Sequence, residues 1–280
     1  MVIRNILPAE HHALLATFNQ AFSDYTVPVQ MDREAFMRKL TMEGINWNLT
    51  VGTFQGNEMV GFILQSSSIV DGIPMAYNSG TGVLPQHRGK GLTLAMYEKV
   101  RQYQLEAGIR QEVLEVITSN APAIRVYEKM QFQRVRVVTF YRQLATLPHV
   151  EIPWSVAFDQ VLDSEQKQAL WTIEPTWQMQ MVGLERVRET CLEMSVSQDG
   201  QLIGYALLNP TTGRVWHIAV DKAHRRKGIA SALIQNAQQH SEKPLNFLNV
   251  DQQAHDLTGF LKHHGFRAEL SQYELLYQYP

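Results

Sequence analysis

Apolar residues recur along this chain with two periods, one of about 3.6 residues and one of two, and the switches between them mark out the elements. Residues 8–22 place Ala13 or Leu14, Phe18 and Phe22 on one helical face. A polar-aromatic connection follows, Ser23-Asp24-Tyr25 with Pro28, and Asp32 then has the form of an N-cap for a second helix reaching Leu40. Leu49–Phe54 and Glu58–Gln65 read as strands around the turn Gln55-Gly56-Asn57. Met75–Val83 is a third strand, and Gly80 and Gly82 inside it predict a bulge or a close approach of ligand to backbone. Leu92, Met96, Val100 and Tyr103 give the next helix one apolar face, and Gly108 ends that element. Glu112–Thr118 reads as a buried strand. Asn120 as cap and Pro122 in the first turn open a helix to about Met130, and Arg134–Tyr141 alternates as a final strand. Leu147, Pro148, Ile152 and Pro153 bracket a short linker of ordinary composition.

The second half repeats this order. Val60-Gly61-Phe62 matches Ile203-Gly204-Tyr205 at an offset of 143, Val83, His87, Arg88 and Gly91 match Val220, His224, Arg225 and Gly228 at 137, and Glu128–Phe132 matches Lys262–Phe266 at 134. A slowly falling offset is what shortened loops between equivalent elements produce. The period is far too long for a solenoid, so the reading is duplication into two domains, 1–146 and 152–280.

Between the third strand and its helix lies His87-Arg88-Gly89-Lys90-Gly91. Amides at a helix N-terminus lack internal partners and carry positive potential, so a basic, glycine-containing turn there suits an anion. Such a turn is also common as a turn alone. The phosphate loop of nucleotide hydrolases does not fit, because Gly91 stands where Ser or Thr should follow Lys90. Val83-x-Pro85-x-His87-Arg88-x-Lys90-Gly91-x-Thr93 resembles the cofactor loop of the GNAT superfamily of N-acetyltransferases, Arg/Gln-x-x-Gly-x-Gly/Ala after a Val-x-Pro strand end. Arg88 and Gly91 fit, with Thr93 at the third position. Arg225-x-x-Gly228-x-Ala230 fits throughout, though Lys222 replaces the proline. The frame Gln86-x-x-Gly89-x-Gly91 also fits the formula, but Val83-x-Pro85 sets the register.

The resemblance implies an α/β fold, two consecutive GNAT-like domains, each a mixed central sheet flanked by helices. It implies that the loop amides hold the pyrophosphate of acetyl-CoA, with Val83, Arg88, Gly89, Lys90, Gly91, Leu92, Thr93 and Asn120 as cofactor-binding positions, and that the reaction is acetyl transfer to a primary amine. Such transfer needs a base for the ammonium and an acid for the departing thiolate. Leu114-Glu115-Val116-x-x-Ser119-Asn120-x-x-Ala123-Ile124-x-x-Tyr127 resembles the segment of family members that acetylate protein N-termini, where the Glu is the base and the Tyr the acid. From the residues alone, Glu115 lies between Val113 and Ile117 on one strand face, which suits a carboxylate of raised pKa, and equally a salt-bridge partner. Tyr127 shares a helix face with Ala123 and Met130, as a core residue also would. Gln131 replaces the family's usual glycine before Phe132. Acceptor specificity in the family comes from the first two helices and their connection, which makes Asp24 and Tyr25 candidate acceptor contacts; Asp24 equally fits a local cap.

In the second half, Asn249 stands for Glu115, Ala254 for Asn120 and Leu261 for Tyr127, so both proton-transfer groups are replaced. Asp251, His217, Tyr273 or Tyr277 are the available substitutes. The second domain is therefore expected to be degenerate, its loop kept for backbone geometry or for a second CoA.

Composition narrows the setting. The 280 residues carry a net charge of −2, unlike a general nucleic-acid binder. The single Cys191 excludes an internal disulfide and fits a reducing compartment. No signal-peptide pattern occupies residues 1–20, no apolar run reaches about 18 residues, and the histidines form no metal pair with an acidic partner. The expectation is a cytoplasmic, metal-free N-acetyltransferase acting on a small-molecule or peptide amine, with no nucleic-acid or membrane partner. The alternatives are an acyl-CoA-binding regulator without turnover, or transfer of another acyl group.

Overall fold

The structure, a computed structural model, describes residues 1–25, 29–148, 151–158 and 162–280; Pro28 of the first connection and residues 149–150 of the linker lie outside these. The chain packs into two compact units, Met1–Val135 with Glu274–Pro280, and Arg136–Tyr273.

The first unit opens with β1 (Val2–Asn5), then α1 (His11–Ala21) and α2 (Arg33–Glu43). Leu14, Thr17, Phe18 and Ala21 recur every three or four residues and are the buried face of α1. Asp32 caps α2, its carboxylate accepting the Ala35 N–H at 2.8 Å. Four strands follow: β2 (Val51–Gln55), β3 (Glu58–Val70), β4 (Ile73–Val83) and, after α3 (Leu92–Glu106), β5 (Gln111–Ile117). α4 (Ala121–Lys129) comes next. Strand order is β1-β2-β3-β4-β5, antiparallel except for the parallel β4–β5 pair, with the chain's terminal segment beyond β5. β3 and β4 run five residues past Gln65 and two before Met75. Asp71 and Gly72, at φ 49° and 78°, form a tight hairpin turn that lets Ser66–Ser68 pair with Met75–Tyr77. The apolar core joins Leu14, Phe18, Phe36, Leu40, Val60, Phe62 and Leu84.

The second unit starts within β6 (Gln133–Gln143) and holds β7 (Ala157–Phe158), α5 (Ser164–Gln168), α6 (Met181–Glu185), β8 (Leu192–Gln198), β9 (Gln201–Asn209), β10 (Arg214–Val220), α7 (Ile229–Gln239), β11 (Asn246–Asp251), α8 (His255–His263) and most of β12 (Phe266–Gln278). Its order is β12-β6-β11-β10-β9-β8-β7, with β10–β11 parallel and the other described pairings antiparallel. Leu147, expected in the linker, is packed into this unit's core with Tyr141, Leu233 and Phe247.

The units do not follow the division at 146 and 152. Each takes its last strand from the other half of the chain: β6 pairs with β11, as in Tyr141 opposite Phe247, and the terminal segment completes the first unit, where the Tyr279 N–H reaches the Arg110 carbonyl at 2.9 Å. Duplicated halves make this possible, because a final strand patterned for one sheet fits the equivalent edge of the other.

Candidate active site

β4 and β5 pair only at Met75–Gln111, Ala76–Glu112 and Tyr77–Val113, although β4 continues to Val83 and β5 to Ile117. Beyond that point the strands diverge and open a wedge. The expected bulge is at its mouth: Leu64 faces Gly80 while Gln65 faces Asn78, so Ser79 is the extra residue. Gly82 is needed for contact, because a Cβ there would lie 2.6 Å from the Phe62 ring.

Past Val83 the chain makes one tight turn at Pro85–His87 and enters α3 through Gly89 and Gly91, at φ 72° and 74°. A Cβ on either glycine would meet nothing within 4 Å, so the loop is an open cradle whose backbone conformation calls for glycine. The amides of Leu92 and Thr93 belong to the first turn of α3 and have no intrahelical acceptor. Loop and helix end thus fit a phosphate group. The Lys90 ammonium folds back to the Gln86 carbonyl at 3.1 Å.

Arg88, a cofactor-binding position in the sequence reading, has internal partners here. Its guanidinium grips both oxygens of Asp24, at 2.7 and 2.8 Å, and reaches the carbonyls of Ala21 at 2.8 Å and Val83 at 3.1 Å. Arg88 therefore ties the loop to the end of α1, and Asp24, held ionised by this pair, has both oxygens engaged away from an acceptor. Asn120 is also used internally. It caps α4 through the Ala123 N–H at 3.2 Å and donates to the Tyr25 hydroxyl at 2.8 Å. Tyr25 is thereby drawn to the start of α4, with its ring edge-on to Phe22.

Glu115 and Tyr127 approach the wedge from opposite sides of the sheet. Glu112 and Glu115 are three residues apart on β5 and so point to opposite faces. Glu112 turns to the α3 side, where Gln65 links it to Gln104, and Glu115 to the other. Half-buried Glu115 accepts the Tyr77 hydroxyl at 2.6 Å. Burial, with Glu115, Glu43 and Glu274 nearby, holds Tyr77 protonated far above the usual range. Tyr127 is buried on α4, edge-on to Tyr97 and Phe132, and burial raises its pKa.

Sequence reading missed a polar layer behind this pair. Glu112 is fully buried. One oxygen accepts Gln65 Nε2 at 2.7 Å, Oε2 has no partner among the described residues, and desolvation lifts the carboxyl to about 7. Gln104 donates to Gln65 at 3.1 Å and accepts the Tyr279 hydroxyl from the terminal segment. Asn78 donates to Thr81 Oγ1 at 2.8 Å and to the hydroxyl of Tyr97, whose ring meets that of Tyr127 edge-on. The sequence signal was Asn78 and Thr81 flanking the glycine-rich bulge.

The second unit repeats the frame of the first. Trp216 is the bulge residue of β10, 137 after Ser79, and Arg225 Nε bonds the Val220 carbonyl at 3.2 Å as Arg88 bonds Val83. Here the cradle is covered. A Cβ on Gly228 would sit 3.2 Å from the Ile152 side chain, and Trp154 Nε1 donates to the Lys227 carbonyl at 2.7 Å. The cavity where β10 and β11 diverge measures about 130 Å³, smaller than the roughly 150 Å³ that houses one benzene. Asn249 is buried at φ 52° and donates to Thr176 and Gln178, each at 3.2 Å; Leu261 is core. His217 donates through Nε2 to the Met179 carbonyl and accepts the Tyr205 hydroxyl at 3.0 Å, and burial lowers its pKa to about 4. Asp251 pairs with Arg136 at 3.2 Å, while Tyr277 lies in the first unit, stacked under Arg101.

Among the described residues no group of three or more His, Cys, Asp or Glu could hold a metal, and no helix is long and apolar enough to cross a membrane. No curated protein sequence matches the chain. Its fold is shared with solved structures: a GCN5-related N-acetyltransferase from Sphaerobacter thermophilus (15% identity, TM-score 0.73, covering 99% of this chain and 95% of that one), a tandem GNAT protein of the clavulanic acid biosynthesis pathway (13%, 0.70, 99% and 98%), and a glucosamine N-acetyltransferase region of a fungal multi-domain β-N-acetylglucosaminidase (13%, 0.69, 99% and 38%). The sequence profile of the acetyltransferase (GNAT) family matches twice, over residues 12–132 and 158–266, and the chain belongs to that family, whose fold supports acyl transfer.

Proposed function

We propose that the first unit transfers an acetyl group from acetyl-CoA to a primary amine, and that the second unit is its non-catalytic partner. The observation that carries this reading is the contrast between two equivalent loops: Gly91 faces open space and Gly228 faces Ile152. The amides of Gly89–Thr93 would hold the pyrophosphate, with Arg88 and Asn120 fixing the walls of the site. When bound, the thioester supplies the acyl carbon, whose bond to sulfur breaks as its bond to nitrogen forms. Glu115 takes the proton of the acceptor ammonium, directly or through water, and Tyr127 holds the proton that the sulfur requires. The amine comes from the side of Tyr25 and Tyr77 and is a small molecule or a peptide. The lone, half-buried Cys191 fits a cytoplasmic setting.

Calorimetry of the intact protein with acetyl-CoA, followed by turnover against an amine panel, tests the proposal. A single site per chain, with acetyl-CoA consumed only when an amine is present, is the expected result. Binding without turnover on any amine would favour a regulatory acyl-CoA-binding protein instead. Two equivalent sites would refute the role given to the second unit.

A further inference from the structure

Two neighbouring residues, Asp24 and Tyr25, hold opposite sides of the wedge in the first unit. Asp24 is gripped by Arg88, on the loop that follows β4, through bonds of 2.7 and 2.8 Å. Tyr25 is held by Asn120, at the start of α4 after β5, through a bond of 2.8 Å. The direction of that second bond is fixed. Asn120 Oδ1 already takes the Ala123 N–H, so Nδ2 donates and the Tyr25 hydroxyl oxygen accepts. β4 and β5 lie side by side up to Tyr77 and Val113 and then diverge. The connection after α1 therefore runs from one diverging strand end to the other, across the mouth of the wedge.

The second unit shows the same loop without such a connection. Arg225 makes the bond to Val220 that Arg88 makes to Val83, but its guanidinium then reaches Asp256 directly, at 2.6 Å. Asp256 stands in the first turn of α8, and at the offset of 134 its counterpart in α4 is Pro122, which has no side-chain acceptor. One ion pair thus bolts loop to helix across the second wedge, where the cradle is covered. In the first unit the same span is made by a separate piece of chain pinned at both ends. Its ionic pin is about half exposed, with Arg88 at 42% and Asp24 at 52%. A half-exposed ion pair and one hydrogen bond are weak enough to open without unfolding anything else.

We propose that Asp24 and Tyr25 form a clasp that holds the first wedge shut in the unliganded chain and comes undone when acyl-CoA enters. This rests on the reading of the first unit as the acyl-CoA site. A protein whose competent state is only a fraction of the whole binds with its affinity reduced by that fraction. Breaking a pin should therefore tighten cofactor binding, the opposite of what losing a ligand contact does.

Calorimetry with acetyl-CoA compares the native chain with Asp24→Ala, Tyr25→Phe and the double variant. Asp24→Ala should tighten binding about two- to fivefold, the scale of one exposed ion pair, and Tyr25→Phe about two- to tenfold, the scale of one hydrogen bond. Tyr25→Phe changes no charge, so tightening there cannot come from a freed Arg88 attracting phosphate. Millisecond hydrogen exchange follows the clasp without any turnover. The Ser23 and Tyr25 amides, bonded to the Gln20 and Phe22 carbonyls, should exchange faster in the double variant, and in the native chain once acetyl-CoA is bound. Unchanged or weaker affinity in Tyr25→Phe, or exchange at Ser23 and Tyr25 that stays as it was in the double variant, overturns the clasp. Binding of acetyl-CoA that does not speed this exchange overturns it too. Faster exchange in the double variant with no acetyl-CoA binding by any variant would sustain the clasp and remove the acyl-CoA reading instead.

Discussion

Replacing Glu112 with glutamine should stabilise this protein, by an amount that grows from about pH 4.5 and is complete above about pH 7. The carboxyl is fully buried on β5, its Oε2 has no partner among the described residues, and its pKa rises from 4.5 to about 7. A carboxyl whose folded-state pKa is raised keeps its proton in the fold over a range where the unfolded chain has lost it. Stability is therefore greatest below about pH 4.5 and falls as pH rises to about 7, beyond which the full cost remains. At 1.36 kcal/mol per pH unit, the span from 4.5 to 7 costs roughly 3 kcal/mol. Glutamine has the size of the protonated side chain, can still accept from Gln65 Nε2, and never ionises. The Glu112→Gln variant should melt close to wild type at pH 5 and about 6–12 °C higher at pH 8.5, using 2–4 °C per kcal/mol for a protein of this size. Thermal melts followed by circular dichroism at the two pH values decide the matter. Equal melting temperatures at pH 8.5 would mean that the carboxylate is solvated or compensated in a way the buried Gln65–Gln104–Tyr279 arrangement does not provide.

Three further outcomes are expected. Tyr127→Phe and Glu115→Gln should each lower kcat by about 100-fold or more, while Asn249→Ala stays within a few-fold; steady-state kinetics on any amine that supports turnover will show it. Gly91→Glu sets a carboxylate into the open cradle at a helix N-terminus and should abolish acetyl-CoA binding in calorimetry, whereas Gly228→Ala, strained at φ 87°, should lower the melting temperature and leave that binding intact. His217, buried and neutral with a pKa lowered from 6.5 to about 4, contributes stability that is whole above about pH 6.5 and lost as pH falls toward 4, roughly 3 kcal/mol in all. Hydrogen exchange should therefore show amides of β10 losing protection between those pH values, and unchanged protection there would refute the neutral, buried assignment.

Local structure was legible in the sequence to the extent that it depends on neighbours. The cap at Asp32, the glycine turn before α3 and the Asn120 cap of α4 are chemistry within four residues, and all three stand as read. What was not legible depends on distance or on duplication. Arg88 and Asp24 are 64 residues apart, and nothing in either segment announces that a loop arginine will be spent on an aspartate at the end of α1. Glu112 reads only as the polar first residue of a buried strand, because burying a carboxylate runs against the pattern that identifies a core. The exchange of final strands was hidden for another reason. β6 and the end of β12 carry the same kind of pattern, so either sheet edge satisfies either strand, and only the three-dimensional pairing chooses between them.

The two loops separate what a signature motif reports from what it is used for. Arg88 and Arg225 make the same bond back to the strand end five residues earlier, and Gly91 and Gly228 both take a left-handed conformation at the start of a helix. Those features make the strand-to-helix turn, so they persist in both halves whether or not a ligand comes. Anion binding needs more: empty space above the glycine, and a wedge beyond it wide enough to continue the ligand. The first unit has the open space over Gly89 and Gly91. The second has its own Ile152 and Trp154 on the loop, and the cavity beside its diverging strands is lined by His217, Trp216 and Asn249. In the proposed reading, Asn249 and Leu261 stand where Glu115 and Tyr127 act in the first unit, so no catalytic reason remains to keep that cradle open. Filling it then stabilises the fold through burial of Ile152 at no cost to chemistry carried out elsewhere in the chain.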